Sequence, residues 1–350
     1  MISTPFLSVP PRNYGGTELI VHELVEGLVE RGHRVTLFAT GDSRTSAELR
    51  FLYPEAQWPP NLMPDLNHVS WAIQSVRDED FDLVHVHSAD ALAFARLLPE
   101  IPMVYTLHHV RDEDLSAFYP YFQEPHYVAI SRAQAEREVP LTHLNVIHHG
   151  LDPSRFEWRA GAVEPYVVFL GRFTEVKGPH TAMEVAARAG LPIRVAGEVH
   201  AVDQEFAERE VLPRFEQPHV SYVGCVGMEE KVPLLRDARA LLVPITWEEP
   251  FGLVMIEAML SGCPVIAFPR GSVPELVEDG VTGYVVESEE EMVRTIRPGG
   301  PLDVFDRQRC RERAVERFGR DRMVEDHLAL YRRILLESGG RHAAAAMDAA

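Results

Sequence analysis

Within Trp247-Glu248-Glu249-Pro250-Phe251-Gly252-Leu253-Val254-Met255-Ile256-Glu257-Ala258-Met259, two carboxylates, Glu249 and Glu257, bracket an apolar run. A carboxylate at a loop-to-helix junction accepts hydrogen bonds from hydroxyl groups, and a second one two turns further along accepts both hydroxyls of a ribose. Glu249 and Glu257 have that spacing, with a Phe251-Gly252 break just after the first. An exposed Glu and a helix-surface Glu are each ordinary. The combined string, running on into Ser261-Gly262-Cys263-Pro264-Val265-Ile266-Ala267, is far more specific.

Positive charge gathers in Gly171-Arg172-Phe173-Thr174-Glu175-Val176-Lys177-Gly178, immediately after an apolar run. Arg172 and Lys177 share one strand-to-helix connection, from which both reach a single diphosphate. Fixed cations in a dry cleft stabilise charge that builds on a departing diphosphate, and losing one contact of this kind costs about 2.7–4 kcal/mol in analogous sites. Taken alone, the octapeptide also suits an ordinary surface loop. Near the start, Tyr14-Gly15-Gly16-Thr17-Glu18 precedes an amphipathic helix. Glycine lets backbone N–H groups approach a phosphate, and a helix N-terminus adds a favourable dipole. A Gly-Gly pair here also serves as a plain turn, and only its combination with the other motifs favours a phosphate. Tyr105-Thr106-Leu107-His108-His109 places paired histidines at the end of another apolar run.

The elements that hold these residues are short apolar runs, which recur at residues 34–39, 83–87, 103–107, 127–130 and 145–148. Others follow at residues 166–171, 193–197, 220–224, 240–244, 264–268 and 283–286. Continuous apolarity suits strands buried on both faces of parallel sheets, and their alternation with helical segments implies doubly wound α/β architecture. Between residues 17 and 31, Ile20, Leu24 and Leu28 with Val21, Val25 and Val29 form a core-facing stripe that stops at Gly32. Residues 150–165 are turn-rich and weakly patterned, as a linker is. Two Rossmann-like domains with a ligand cleft between them follow. Only Met1 to Thr4 precede Pro5, so the first strand is expected to be short or clipped, with a start upstream of Met1 as one reading. Residues 309–336 read as one long, charged helix, and residues 339–350 as a low-complexity, disordered tail.

Composition narrows the partners. The 350-residue chain is 46% hydrophobic and carries a formal net charge of -19. Such acidity disfavours nucleic acid and tight docking to anionic lipid. No apolar stretch reaches the roughly 20 residues of a membrane span, and the N-terminus lacks the basic and apolar regions of a secretory signal. Three scattered cysteines suit neither a disulfide framework nor a metal cluster. A reduced, cytoplasmic setting is expected, with a weak peripheral membrane contact left open.

Glu249-x7-Glu257 enclosing Phe251-Gly252, the Gly171-to-Gly178 element and the Gly271-Ser272-Val273-Pro274-Glu275 stretch resemble the retaining glycosyltransferases of the GT4 family. The resemblance covers nearly the whole chain, more specifically in the second half. It implies the GT-B fold, in which two Rossmann-like domains face across a cleft and a C-terminal helix crosses back to the first. The expected division is an acceptor domain at residues 1–155, joined by a helix at about residues 318–338, and a donor domain at residues 156–317. The co-substrate implied is a nucleoside diphosphate sugar, UDP- or GDP-linked, with no cofactor and no metal required. Arg172 and Lys177 would hold the diphosphate, Glu249 the donor sugar and Glu257 the ribose. Backbone N–H groups of Phe251, Gly252 and Leu253, and the Gly15-Gly16 loop, would complete the donor site. A histidine near the reacting carbon falls on His108, with His109 as the alternative. Glu275 is expected to be structural.

Other motifs are weaker. Asp78-Glu79-Asp80, Asp80-Phe81-Asp82 and Asp112-Glu113-Asp114 mimic a metal-binding D-x-D, but read as solvated loop. His85-x-His87 lacks a third ligand at motif spacing and reads as buried or cleft-edge histidine. His148-His149-Gly150 is cleft lining or hinge. The aromatic, Pro-containing segments at residues 53–60 and 117–122 are acceptor candidates or packed loops; the acceptor itself, a glycan, a glycolipid precursor or a small molecule, is unspecified. Two rivals remain, a nucleotide-sugar epimerase of the same fold and a non-catalytic nucleotide-sugar binding protein. Oligomeric state is not encoded in any motif.

Overall fold

A computed structural model describes residues 1–12, 15–161 and 163–338. Tyr14 and the low-complexity tail at residues 339–350 lie outside the described residues. The chain divides into two compact units, Met1–Leu151 with the segment from Arg320 onward, and Asp152–Gly319.

In the first unit the strands are β1 (Thr36–Ala39), β2 (Glu48–Phe51), β3 (Val84–Val86), β4 (Met103–Thr106), β5 (His126–Ala129) and β6 (Leu144–Val146). All their pairings are parallel, β1 with β2 and β3-β4-β5-β6 in sequence. Met1–Ser3 joins the two sets, because Ile2 bridges Phe38 and Val86 at once. Its N–H donates to the His85 carbonyl at 2.8 Å, and its own carbonyl accepts from His87 at 3.0 Å. The short first strand is thus a one-residue seam, fully buried and central. Taking it as the first strand, the spatial order runs 3-2-1-4-5-6-7, the doubly wound arrangement that leaves a ligand crevice where the order reverses.

The second unit repeats the pattern with β7 (Val167–Leu170), β8 (Ile193–Ala196), β9 (Val220–Gly224), β10 (Ala240–Val243), β11 (Val265–Ala267) and β12 (Gly283–Val285). The order is β12-β11-β10-β7-β8-β9, all parallel, reversing between β7 and β10. β7, β10 and β11 are buried almost throughout, which is why they read as unbroken apolar runs.

Every apolar run read from the sequence becomes a strand. β2 was not anticipated: it is an exposed edge strand with no apolar run to announce it. The long C-terminal helix also differs from expectation, breaking at Gly319 into Arg307–Phe318 and Arg320–Glu337. The first piece completes the second unit, where the Arg311 guanidinium donates to the carbonyls of Pro153 and Phe156 at 2.9 and 2.8 Å. Arg320–Glu337 belongs to the first unit and packs on the helix Gly16–Glu30. A Cβ on Gly27 would lie 2.5 Å from Val324 Cγ2, so glycine sets the closeness of that packing. Arg31 ties the pair to Asp321 and Glu325 at 2.9 and 2.7 Å.

Candidate functional site

Both loops that leave the carboxyl ends of β7 and β10 start at the strand-order reversal, and they carry Arg172, Lys177 and Glu249. After β7, Phe173 is 1% exposed and pins the loop to the core. The Thr174 hydroxyl accepts from Lys177 N–H at 3.3 Å, closing a single turn at Glu175–Lys177. Gly178 follows with φ 71°, and a Cβ there would meet the Pro244 carbonyl at 2.5 Å. Glycine is therefore required for the two loops to touch, and that contact brings Lys177 to Glu249.

The Lys177 ammonium donates to Glu249 Oε2 and sits over the Trp247 ring, 4.6 Å from its centroid. The Trp247 indole N–H donates to the same carboxylate oxygen at 3.1 Å. Glu249 is 7% exposed, held from behind by Gly271, whose φ of +55° and missing Cβ let it lie against the Glu249 backbone. Arg172 is placed on the same loop but 42% exposed, with Asp203 Oδ2 3.4 Å from its Nε. Sequence assigns no role to Trp247, although it opens the Glu249–Glu257 stretch, or to Asp203; only contact reveals theirs.

Beyond Glu249 the chain turns through Gly252, at φ 82° and ψ 70°, into the helix Leu253–Leu260. A Cβ at Gly252 would crowd Met255 Cε at 2.6 Å and Glu249 Cγ at 3.2 Å. Gly252 N–H and Leu253 N–H find no acceptor among the described residues, as befits a first helical turn. Phe251 is buried against Phe318, and its carbonyl accepts from the Ser272 hydroxyl at 2.7 Å, so its side chain anchors the loop. Glu257 is 4% exposed and pairs with a cation the sequence did not flag, Lys231 on the helix Met228–Asp237, at 2.5 Å from Oε1. Each acidic residue of the motif thus has its own lysine.

In the first unit, Gly15 directly precedes the helix that begins at Gly16. A Cβ on Gly15 would meet Leu7 Cδ1 at 2.7 Å and Pro11 Cβ at 2.8 Å. Glu18, in the first turn, is buried, and the Thr4 hydroxyl donates to it at 2.5 Å; burial nonetheless raises its pKa. His108 is half-buried, with Nε2 2.8 Å from His87 Nδ1 and its ring stacked 5.4 Å from His149. Burial drives its pKa down to about 3. His109 spends both ring nitrogens on the protein, at 2.7 Å from the Val110 carbonyl and 2.5 Å from the Tyr119 hydroxyl.

The remaining motifs resolve individually. Asp78 ends the helix Leu62–Asp78, and Asp112 caps the helix Glu113–Phe118 by accepting from Leu115 N–H at 3.0 Å. His85 and His87 are buried and stacked on each other at 4.5 Å. Among the described residues no group of three or more His, Cys, Asp or Glu is arranged to hold a metal ion. His149 is buried beside His108, and the carbonyls of both His148 and His149 accept from Arg322 at 2.8 Å. Within residues 117–122 the outcome is split: Tyr119 is fully buried between Tyr105 and Tyr127, and Tyr121 is 71% exposed. Trp58, from the other aromatic segment, is 59% exposed. The backbone carbonyl of Glu275 accepts from Arg317.

Comparison with known proteins converges on one family. The model described as "Glycosyltransferase Family 4" matches residues 14–155, and "Glycosyl transferases group 1" matches residues 152–298. O-antigen chain mannosyltransferase C of Escherichia coli is 23% identical over 367 residues, 93% of this chain and 96% of its own. Some other curated relatives are matched over about half of their length, 46% and 48% in two cases. A glycosyltransferase involved in avilamycin A biosynthesis superposes with a TM-score of 0.74 at 26% identity, covering 95% of this chain and 97% of the other. Anabaena HepE, solved in complex with UDP-glucose, gives a TM-score of 0.70 at 20% identity, over 93% and 97% of the two chains. The chain belongs to the GT4 family of glycosyltransferases and has the GT-B fold. Its class of activity is sugar transfer.

Proposed function

We propose that this glycosyltransferase is retaining and metal-independent, takes its sugar from a nucleoside diphosphate donor, and works in the cytoplasm on a hydroxyl acceptor. The observation that carries the reading is the contact of Lys177 with Glu249 and Trp247 at the strand-order reversal, with Arg172 on the same loop. In a site without donor, the lysine and the glutamate satisfy each other. A diphosphate arriving there competes for the ammonium, so the ion pair opens, Lys177 turns to phosphate, and Glu249 becomes an acceptor for sugar hydroxyls while the Trp247 N–H keeps it oriented. Glu257, one oxygen held by Lys231, has the other for the ribose. The acceptor side is assigned to the first unit.

Arg172 and Lys177 supply the charge compensation that a metal supplies elsewhere, stabilising the diphosphate as the bond from the anomeric carbon to the phosphate oxygen breaks. The acceptor oxygen attacks on the same face, and its proton passes to the leaving phosphate oxygen. Retention then needs no protein nucleophile.

A panel of nucleoside diphosphates and their sugars, starting with UDP and UDP-glucose, tests the donor by thermal stabilisation. Proton NMR of the transferred or hydrolysed sugar reads the anomeric configuration, with and without EDTA. Stabilisation by one base series, retained configuration and insensitivity to EDTA are expected. Absence of any nucleotide-dependent shift would sink the donor reading, an inverted product the mechanism, and an epimerised sugar from donor alone would favour the epimerase.

A further inference from the structure

Five histidines, His85, His87, His108, His149 and His327, meet in the first unit, and the site described above uses only one of them. Their hydrogen bonds fix where protons sit. His87 Nε2 lies 3.0 Å from the Met1 sulfur, which only accepts. Nε2 of His87 therefore carries the proton, and in a neutral ring Nδ1 must then be the acceptor. That Nδ1 is 2.8 Å from His108 Nε2, so His108 donates through Nε2. The remaining ring nitrogen of His108, Nδ1, is left with a lone pair; it makes no hydrogen bond to any described residue, and the side chain is half-buried, not sealed.

Neutrality is supported by the surroundings. Burial holds His87 well below the usual imidazole range and His108 at about 3, with the neighbouring rings adding to the effect. The planes are fixed as well, His149 stacking on His108 at 19° and His85 on His87 at 27°. His327 follows the same logic, its Nδ1 2.8 Å from the Met323 carbonyl, which can only accept.

We infer that His87 is a positioning residue: it takes the His108 Nε2 proton as a hydrogen bond and thereby presents His108 Nδ1 as a permanent acceptor for a hydroxyl of the transferred sugar. The tautomer selects the ligand group. A lone pair receives an O–H and repels phosphate and carbonyl oxygens, so His108 selects a hydroxyl over a phosphate or carbonyl oxygen. The sugar as occupant rests on the function proposed above; the tautomer does not.

The test has two arms on the full chain. First, two-bond proton–nitrogen NMR of histidine-labelled protein at pH 7.5, with His108 assigned through His108→Asn, reads the tautomer without any ligand. Wild type should show protonated Nε2 and bare Nδ1; His87→Phe, lacking an acceptor, should show a mixture, and His87→Gln, whose amide oxygen accepts, should restore much of the wild-type pattern. A proton on Nδ1 of wild-type His108, or an unchanged tautomer in His87→Phe, overturns the inference. The wild-type spectrum decides the point even if a variant fails to fold. Second, binding of UDP and UDP-glucose is compared. His87→Phe should weaken UDP-glucose by about fivefold, the scale of one neutral hydrogen bond, and leave UDP unchanged. Equal weakening of both marks a merely structural role and overturns it too. No binding of either probe to the wild type, with the tautomer as expected, counts against the proposed donor reading and leaves the relay standing.

Discussion

Removing the Lys177 ammonium should separate two quantities, the stability of the empty protein and its affinity for donor. In Lys177→Ala, Glu249 keeps the Trp247 N–H at 3.1 Å but loses its cation in a position only 7% exposed. Breaking a fully buried pair costs about 3–5 kcal/mol. Lys177 is 25% exposed, so water compensates part of the loss and about 1–2 kcal/mol is expected. For a unit of this size that is about 2–8 °C in the melting point. Donor affinity should fall about 10- to 100-fold, since a charged hydrogen bond contributes about 1.5–3 kcal/mol. At a UDP-glucose concentration 100 times the wild-type Kd, stabilisation of about 2.7 kcal/mol should shrink to about 0.4–1.4 kcal/mol. Lys177→Ala combined with Glu249→Gln removes the orphaned charge, so empty-state stability should return while donor binding stays weak. Differential scanning fluorimetry with and without UDP-glucose measures both. A full donor-dependent shift in Lys177→Ala, or a double variant no more stable than the single one, would refute the reasoning.

Lys231→Ala should cost more stability than Lys177→Ala, about 2–4 kcal/mol, because Lys231 and Glu257 are 13% and 5% exposed at the side chain. It should weaken UDP and UDP-glucose to the same degree, since a ribose contact is common to both; isothermal titration with each ligand checks this. Acidification should destabilise the first unit. Burial lowers the pKa of His85, His87 and His149 well below the usual value, His108 to about 3, and His68 and His327 to about 4. Between those values and about 6.5 the unfolded chain binds more protons, so this stability is complete above pH 6.5 and lost as pH falls, by about 1.4 kcal/mol per unit for each ring. Asp65, pushed up to about 6 by burial, acts in the opposite sense, as do Glu18 and Asp90, which burial also raises, but these are three carboxyls against six rings. Melting points by circular dichroism from pH 7.5 to 4.5 should drop steeply, and a flat profile would contradict the buried neutral cluster.

Much of the architecture was legible because parallel strands covered on both faces must be apolar throughout, as β7 and β10 are. The edge strand β2 was not legible, since none of its four residues is buried and it carries no apolar run. Nor was the helix break at Gly319, because charged, helix-forming residues flank it on both sides. Among site residues, Glu249 and Glu257 announced themselves by spacing, and Lys177 by its place between glycines. Their partners did not: Trp247 is an aromatic two residues from Glu249, and Lys231 lies on a different helix altogether. Every strand except β2 and the Ile2 seam, the loops that carry charge and the family of the motif string were readable from the chain alone, because periodicity and local spacing are written in one dimension. Folding alone gives each acid a private lysine, makes Tyr119 core and brings the His87 ring to His108. Those facts depend on which side chains from distant strands meet, and a parallel sheet whose order reverses brings together loops that the chain keeps far apart.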